Sequence, residues 1–327
     1  MRSGRRAGRP RGRKFACRVV CVEARAKLNL GLAVGPRRAD GFHDLVTVFQ
    51  SISLADRLIL EPRARGFSIE VRHEDASLGE GRPARSRPAC GGDVPTGSAN
   101  LALRAARLLR DRLGLPGGAH FSLVKRIPTR AGLGGGSADA AAALVGLARL
   151  HGMRLSRAQR IGLAAELGAD VPFLATGGTA LGLGRGERLV PLRLERPFRA
   201  LVAVPAWRVS TGLAYRRIDR GKYGLTGWRA KLRFAERLEP DAVRPKVGWR
   251  LGNTFEFALG NRRPAFASLR ERLRRAGLED PQLSGSGSAV FGILRRGESV
   301  RALIERFEGT EALFVVRSMR KALRVSL

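Results

Sequence analysis

The sequence predicts an α+β protein of two domains, and three observations predict it. The chain has 327 residues, more than the ~100–200 of a usual single domain. Segments with strand and helix periodicity alternate in both halves without the orderly strand–helix–strand series of a parallel sheet. A new unit begins around Pro191–Pro197. The expected division is a disordered basic arm over residues 1–16, a first domain over 17–190 and a second over 191–327, with an active site between them.

Taken in order, Val19–Glu23 and Lys27–Val34 read as strands, the second placing Leu28, Leu30, Leu32 and Val34 on one face. Gly35–Gly41 reads as a turn rich in Pro, Arg and Asp. Leu45–Leu54, Arg57–Leu60 and Phe67–Val71 read as strands, and Ala76–Gly97, with its Pro, Gly and Ser, as a loop. Asn100 is expected to cap a helix over Leu101–Leu113, where apolar residues recur at helical spacing. A strand over Ala119–Ile127, a glycine loop and an alanine-rich helix over Ala138–Leu150 follow. Arg157–Leu167 reads as a helix closed by Gly168, and Pro172 keeps a helix from continuing through Asp170–Phe173. Gly182, Gly184 and Gly186 mark Thr179–Gly186 as a second glycine turn. In the second half, strands are expected at Ala200–Val204, Val290–Leu294 and Ala312–Val316, and helices at Pro264–Ala276 and Val300–Phe307. An arginine-rich stretch over 216–250 separates the first strand from the first helix.

Residues 128–144 are the most informative. They run Pro-Thr-Arg-Ala-Gly-Leu-Gly-Gly-Gly-Ser-Ala-Asp-Ala-Ala-Ala-Ala-Leu. Glycine lets backbone N–H groups turn inward at angles closed to other residues. A helix starting just after them aims its free N–H groups and positive dipole end at the same spot, which makes an anion site, typically for phosphate. Ser137 is expected to cap that helix, or to offer its hydroxyl to a phosphate or metal. No lysine follows the glycines, so the loop is not of Walker type. A dinucleotide fingerprint would need Gly or Ala at 137 and an acid about 20 residues on, where Ser156 and Arg157 stand. What remains is a phosphate loop of a third kind, or a plain flexible turn, which would have no need of the entropy that four glycines in five positions cost.

The net charge of +33 invites a nucleic-acid reading. Residues 1–18 hold eight basic residues and no acid, but the rest of the excess is spread along the chain, with no concentrated basic helix, zinc finger or aromatic RNA-binding motif. Arginine here reads as a compositional habit, and no specific nucleic-acid partner is expected. Only seven of the 61 basic residues are lysine, so each lysine, Lys27 among them, is a candidate for a position arginine cannot fill. Three cysteines (Cys17, Cys21, Cys90) without a Cys-x-x-Cys pair suggest a reducing compartment. Four scattered histidines show no zinc-ligand spacing. No membrane span, secretory leader or plastid transit peptide is read: no apolar run is long enough, and the arm has a single serine and no amphipathic period. A cytoplasmic protein is expected.

Pro128-x-x-x-Gly-Leu-Gly-Gly-Gly-Ser-Ala resembles the central motif of the GHMP kinases. Three further stretches narrow the resemblance to the 4-diphosphocytidyl-2-C-methyl-D-erythritol kinase family. They are Ala26-Lys-Leu-Asn-Leu with Ala39-Asp-Gly-Phe-His43, Leu167-Gly-Ala-Asp-Val-Pro-Phe173, and Leu283-Ser-Gly-Ser-Gly-Ser-Ala-Val-Phe291. The four motifs run in the family's order from about Glu23 to the C-terminus.

The resemblance implies a two-domain GHMP kinase fold, with an N-terminal ribosomal-protein-S5-like ATP-binding domain and a C-terminal ferredoxin-like α+β domain. It implies transfer of the γ-phosphoryl group of ATP, with Mg²⁺, to the 2-hydroxyl of the cytidylyl alcohol, in the non-mevalonate route to isoprenoid precursors. Carried over by position, Asp170 would be the catalytic base and Lys27 its partner. Asn100 would lie near the adenine. Pro128, Thr129, Arg130, Ala131, Gly132, Leu133, Gly134, Gly135, Gly136, Ser137 and Ala138 would hold the phosphates, with Ser137 also toward Mg²⁺. Asn29, Phe42, His43 and Tyr215 would surround the cytidine and erythritol. His43 would read the pyrimidine edge while Phe42, where the family usually carries tyrosine, stacks on the base. Thr129-Arg130 stands where small residues are commoner, and Arg130 is expected either to add a phosphate contact or to face solvent, with solvent the favoured reading. The rival readings are a GHMP kinase for another small alcohol, of homoserine or mevalonate type, and a basic nucleic-acid-binding protein on a degenerate kinase fold.

Overall fold

A long antiparallel hairpin carries the first half of the molecule, a computed structural model that describes residues 19–74, 94–221, 227–238, 240, 243, 244 and 246–327. The basic arm and most of the loop expected over 76–97 lie outside the described residues. The hairpin consists of β1 (Val20–Arg37) and β2 (His43–Arg63), where four separate strands were expected. The ladder bends without ending, because shifts of register between Arg25 and Lys27, Asn29 and Gly31, and Val34 and Arg37 absorb the curvature. The first half of β2 pairs with β5 (Thr179–Gly184) and the second half with β4 (Gly118–Lys125). β3 (Phe67–His73) extends the sheet parallel to β4, and β6 (Arg188–Leu192) extends it beyond β5. Thr179–Gly184 is therefore strand, with Gly182 and Gly184 paired with β2, and only 185–187, which includes Gly186, forms a turn.

Helix α1 (Leu101–Leu113) starts where expected, with the Asn100 side chain accepting from the Ala102 and Leu103 N–H groups at 2.9 and 3.3 Å. α2 (Gly135–Leu150) is buried along most of its length, and its alanines let it lie close against β1 and β2. Beneath it sit Val22, Leu58, Leu60 and Phe121, each fully buried and each contributing about 1.5–3 kcal/mol of transfer free energy. α3 (Arg157–Ala165) and the short α4 (Val171–Thr176) pack beside it. Pro172 stands in the first turn of α4, where its missing N–H is harmless, so it opens a helix that the sequence reading left out.

The second half contains β7 (Arg199–Val204), α5 (Thr211–Gly221), α6 (Trp228–Glu236), α7 (Arg263–Arg275), β8 (Gln282–Leu283), β9 (Val290–Ile293), α8 (Val300–Arg306) and β10 (Ala312–Arg317). Its sheet has the order β10-β7-β9-β8, antiparallel throughout. Read along the chain, β7-α7-β8-β9-α8-β10 is the ferredoxin-like arrangement. α7 buries Phe266, Leu269 and Leu273 against it.

The two halves are interlocked. β11 (Leu323–Ser326) returns to the first sheet and pairs with the edge of β1, from Cys21 opposite Ser326 to Ala24 opposite Leu323. Leu32 on β1 bridges Asn253, and Ile52 on β2 bridges Ser318. Among the described residues no helix is long and apolar enough to cross a membrane.

Candidate active site

The glycine loop is pressed between two other parts of the chain. Gly132 has φ +77°, and a Cβ there would lie 2.1 Å from the Ser284 carbonyl oxygen. Gly134 has φ +76°, and a Cβ there would meet the Lys27 stem at 3.1 Å. The loop is also stitched down: the Lys27 N–H donates to the Leu133 carbonyl at 3.0 Å and the Ala289 N–H to that of Ala131 at 3.0 Å. The Ser284 hydroxyl donates to the Gly132 carbonyl at 3.1 Å. The motif at 283–291 thus closes over the loop from the second half of the molecule.

α2 begins at Gly135, three residues earlier than expected, because Gly134 takes the N-cap position in a left-handed conformation with no side-chain cap. Ser137 is therefore not the cap. It sits inside the first turn and lines the cleft. Arg130 holds the unusual non-glycine φ of +53° and, although exposed, also lines the cleft instead of turning away from it.

Lys27 is buried on β1 between two of the register shifts. Its Nζ lies 3.6 Å from Asp170 Oδ2 and donates to Asn29 Oδ1. Asn29 Nδ2 donates to Thr47 Oγ1 at 2.9 Å, and Thr47 Oγ1 to the Gly31 carbonyl at 2.8 Å. This chain fixes the ammonium. Asp170 occupies the N-cap position of α4 without capping it, so its carboxylate is uncommitted and 39% exposed.

His43 departs from the expected geometry. Its Nδ1 lies 3.0 Å from the Gly35 carbonyl and its Nε2 3.1 Å from Asp219 Oδ1, so both ring nitrogens are engaged. The ring stacks on Tyr215 at 5.2 Å and 23°, and Tyr215 meets Phe255 edge-on at 5.0 Å. Burial and the nearby Asp170 carboxylate push the Tyr215 phenol up to about 12, so it stays neutral. Phe42 is 53% exposed beneath the Arg185 guanidinium, 4.8 Å from its ring centroid.

One cleft of about 1060 Å³ gathers Lys27, Asn29, Phe42, His43, Arg130, Gly132, Gly134, Ser137, Asp170 and Tyr215. Asn100 is not among its lining, since its amide is committed to capping α1 and to the Pro95 carbonyl at 2.7 Å. Pro128, Thr129, Gly135 and Gly136 do not line it either, and the side chains of Ala131, Leu133 and Ala138 turn into the core. The sequence reading missed Asp219, for which no local pattern exists. It also missed Asn253, whose Nδ2 donates to the Leu283 and Gly285 carbonyls at 2.8 and 2.9 Å and shapes the closing motif. The Gly252-Asn253-Thr254 turn was its only signal.

Behind the loop lies a second ionic cluster that sequence reasoning also missed. Lys125, at the end of β4, is buried and donates to Asp56 on β2 and, at 2.8 Å, to Asp139 on α2. Asp56 Oδ1 accepts the Arg126 and Ile127 N–H groups at 2.6 and 2.8 Å. Burial, then the charge of Asp56, push the Asp139 carboxyl up to about 8, against the pull of Lys125. Burial opposes the charge on Lys125, but the two carboxylates outweigh it and hold its ammonium well above the ordinary range.

Residues 100–178 match the family model for the GHMP kinases N terminal domain. A protein named 4-diphosphocytidyl-2-C-methyl-D-erythritol kinase from Pelotomaculum thermopropionicum is 39% identical over 93% of this chain and all of its own length. A crystal structure of a 4-(cytidine 5'-diphospho)-2C-methyl-D-erythritol kinase superposes with a TM-score of 0.67 at 37% identity, covering 90% of this chain and 98% of that one. A mevalonate kinase structure at 12% identity shares the fold, with a TM-score of 0.64 over 92% of this chain and 99% of that one.

Proposed function

We propose that this chain, which belongs to the 4-diphosphocytidyl-2-C-methyl-D-erythritol kinase family of the GHMP kinases, performs its family's reaction through Asp170 and Lys27. It is an ATP-dependent small-molecule kinase that phosphorylates the 2-hydroxyl of 4-diphosphocytidyl-2-C-methyl-D-erythritol, releasing ADP, in isoprenoid precursor biosynthesis. We place it in the cytoplasm, with its substrates.

The observation that carries the assignment of roles is the uncommitted Asp170 carboxylate 3.6 Å from a fixed ammonium, in the cleft that the glycine loop lines. Phosphoryl transfer needs positioning and charge stabilisation more than covalent help. Asp170 accepts the proton of the substrate hydroxyl, and Lys27 balances charge on the carboxylate and on the phosphoryl group in flight. The N–H groups opening α2 and the Arg130 guanidinium hold the phosphates of ATP.

Ser137 and the phosphates themselves offer the hard oxygen donors that suit Mg²⁺, which is commonly held by few protein ligands. When bound, the ion neutralises charge on the β- and γ-phosphates. His43 and Asp219 present a ring and a carboxylate side by side. A carboxylate is the natural acceptor for the exocyclic amino group of cytosine, so the two together read the base. Phe42 and Tyr215 supply its stacking surfaces.

The test is ATP consumption over a panel of alcohols. Turnover of the cytidylyl alcohol alone supports the reading, and turnover of mevalonate or homoserine in its place overturns it.

A further inference from the structure

A second cleft, of about 710 Å³, opens between the C-terminal end of α2, the loop that follows it, α3, the end of α4 and β11. Six cations line it (Arg25, Arg149, Arg154, Arg160, Lys321 and Arg324), and no carboxylate does. Partly buried apolar side chains of Val145, Met153, Leu155, Leu323 and Val325 complete its wall.

Arginine is everywhere in this chain, so the neighbouring clefts serve as controls. The adjoining groove, which shares Arg25 and Arg324, has Glu23 and Asp56 in its lining. In the groove along 230–250, Arg244 lies 3.9 Å from Glu195, Lys246 pairs with Glu279, and Arg250 covers Phe234. Around the cleft beside β11 such pairing is partial. Arg25 leans on Glu23 at 3.5 Å and donates to the Lys321 carbonyl at 2.9 Å. Arg160 donates to the Ala175 carbonyl at 3.0 Å and keeps its Nε–H buried without an acceptor. The charged groups of Arg154, Lys321 and Arg324 have no acceptor among the described residues.

Like charges gathered round one concavity repel each other, and a multivalent anion removes that repulsion. Guanidinium groups match phosphate oxygens in pairs, so several arginines favour a phosphate over a carboxylate ligand. The apolar wall gives a hydrocarbon group a place beside the charge. We propose that this cleft binds a small diphosphate ester carrying a short apolar group, at a site separate from phosphoryl transfer.

The test is titration calorimetry of the full chain with n-butyl diphosphate while the kinase cleft is saturated with AMP-PNP and CDP. One site per chain is expected, tighter for n-butyl diphosphate than for inorganic pyrophosphate and weakening as salt rises. The exposed pair Arg154→Ser/Arg324→Ser should bind at least about tenfold more weakly, with melting temperature and kinase rate unchanged, and Arg154→Lys/Arg324→Lys should regain part of the affinity. No saturable binding, equal affinity in the serine variant, or pyrophosphate binding as tightly as its butyl ester overturns the proposal. Single-stranded RNA that displaces n-butyl diphosphate at lower concentration would assign the cleft to nucleic acid instead.

Discussion

Lys27 and Lys125 are both buried lysines set against aspartate, yet the aspartates face different worlds. Asp170 stands half in solvent at the mouth of the kinase cleft, 3.6 Å from its lysine and with no other ion pair among the described residues. Asp56 and Asp139 are sealed, one accepting two backbone N–H groups and the other shifted toward its neutral form. A loose, reachable ion pair can exchange a proton with a ligand, whereas a tight, enclosed one ties elements together. Here it ties β2, the end of β4 and α2, the three elements from which the glycine loop hangs. The same residue types thus serve chemistry in one place and architecture in the other.

Substitutions can break that contrast. The largest effect is expected for Asp170→Asn, which should lower kcat by about 10²–10⁴-fold while leaving the ATP dissociation constant and the melting temperature near wild type. Near-normal turnover would remove Asp170 from the chemistry. Asp56→Ala should do the reverse, costing about 3–5 kcal/mol of stability in denaturant titration because Lys125 and two N–H groups lose their acceptor. If its melting curve matches wild type, the sealed cluster is not an anchor. Lys27→Arg keeps the charge but puts a planar guanidinium where an ammonium fits, and kcat should fall by up to about 100-fold.

Arg130→Gly sharpens the comparison within the open site. Relief of the +53° φ should add about 1 kcal/mol of stability, while loss of the guanidinium raises the KM for ATP about fivefold. A purely structural residue would not move the two in opposite senses.

The sealed cluster also answers to pH. The folded protein keeps the Asp139 proton up to about pH 8, whereas the unfolded chain releases it near 3.8. More protons are therefore bound in the folded state across that window, and stability must fall as pH rises through it. Between pH 5 and 8.5 the melting temperature should drop further in the wild type than in Asp139→Asn, whose amide cannot ionise. Parallel curves would place Asp139 as a permanently charged group.

How legible each half of this contrast is from sequence follows from how local its causes are. Asn100 announces α1 because an N-cap acts on residues two and three positions away. The glycine loop is likewise local, and Lys27 and Asp170 stand out only through the motifs around them. By contrast, Val19–Glu23 and Lys27–Val34 read as separate strands because the register shifts that join them depend on the partner β2. Asp56, Lys125 and Asp139 come together across three elements, and Asp219 reaches His43 from another half of the molecule. Of the two roles open to Ser137, capping falls to Gly134, and a glycine N-cap leaves no side-chain signature.

The return of β11 to the edge of β1 sets an order of events during synthesis. β1 is complete once Arg37 leaves the ribosome, but the strand that covers its outer edge emerges roughly 290 residues later. At about 5–20 residues per second the wait is about 15–60 s, with a bare strand edge open to pairing with other nascent chains. The charged residues Glu23 and Arg25 lie on that stretch of β1, where charge discourages such pairing until the last segment arrives.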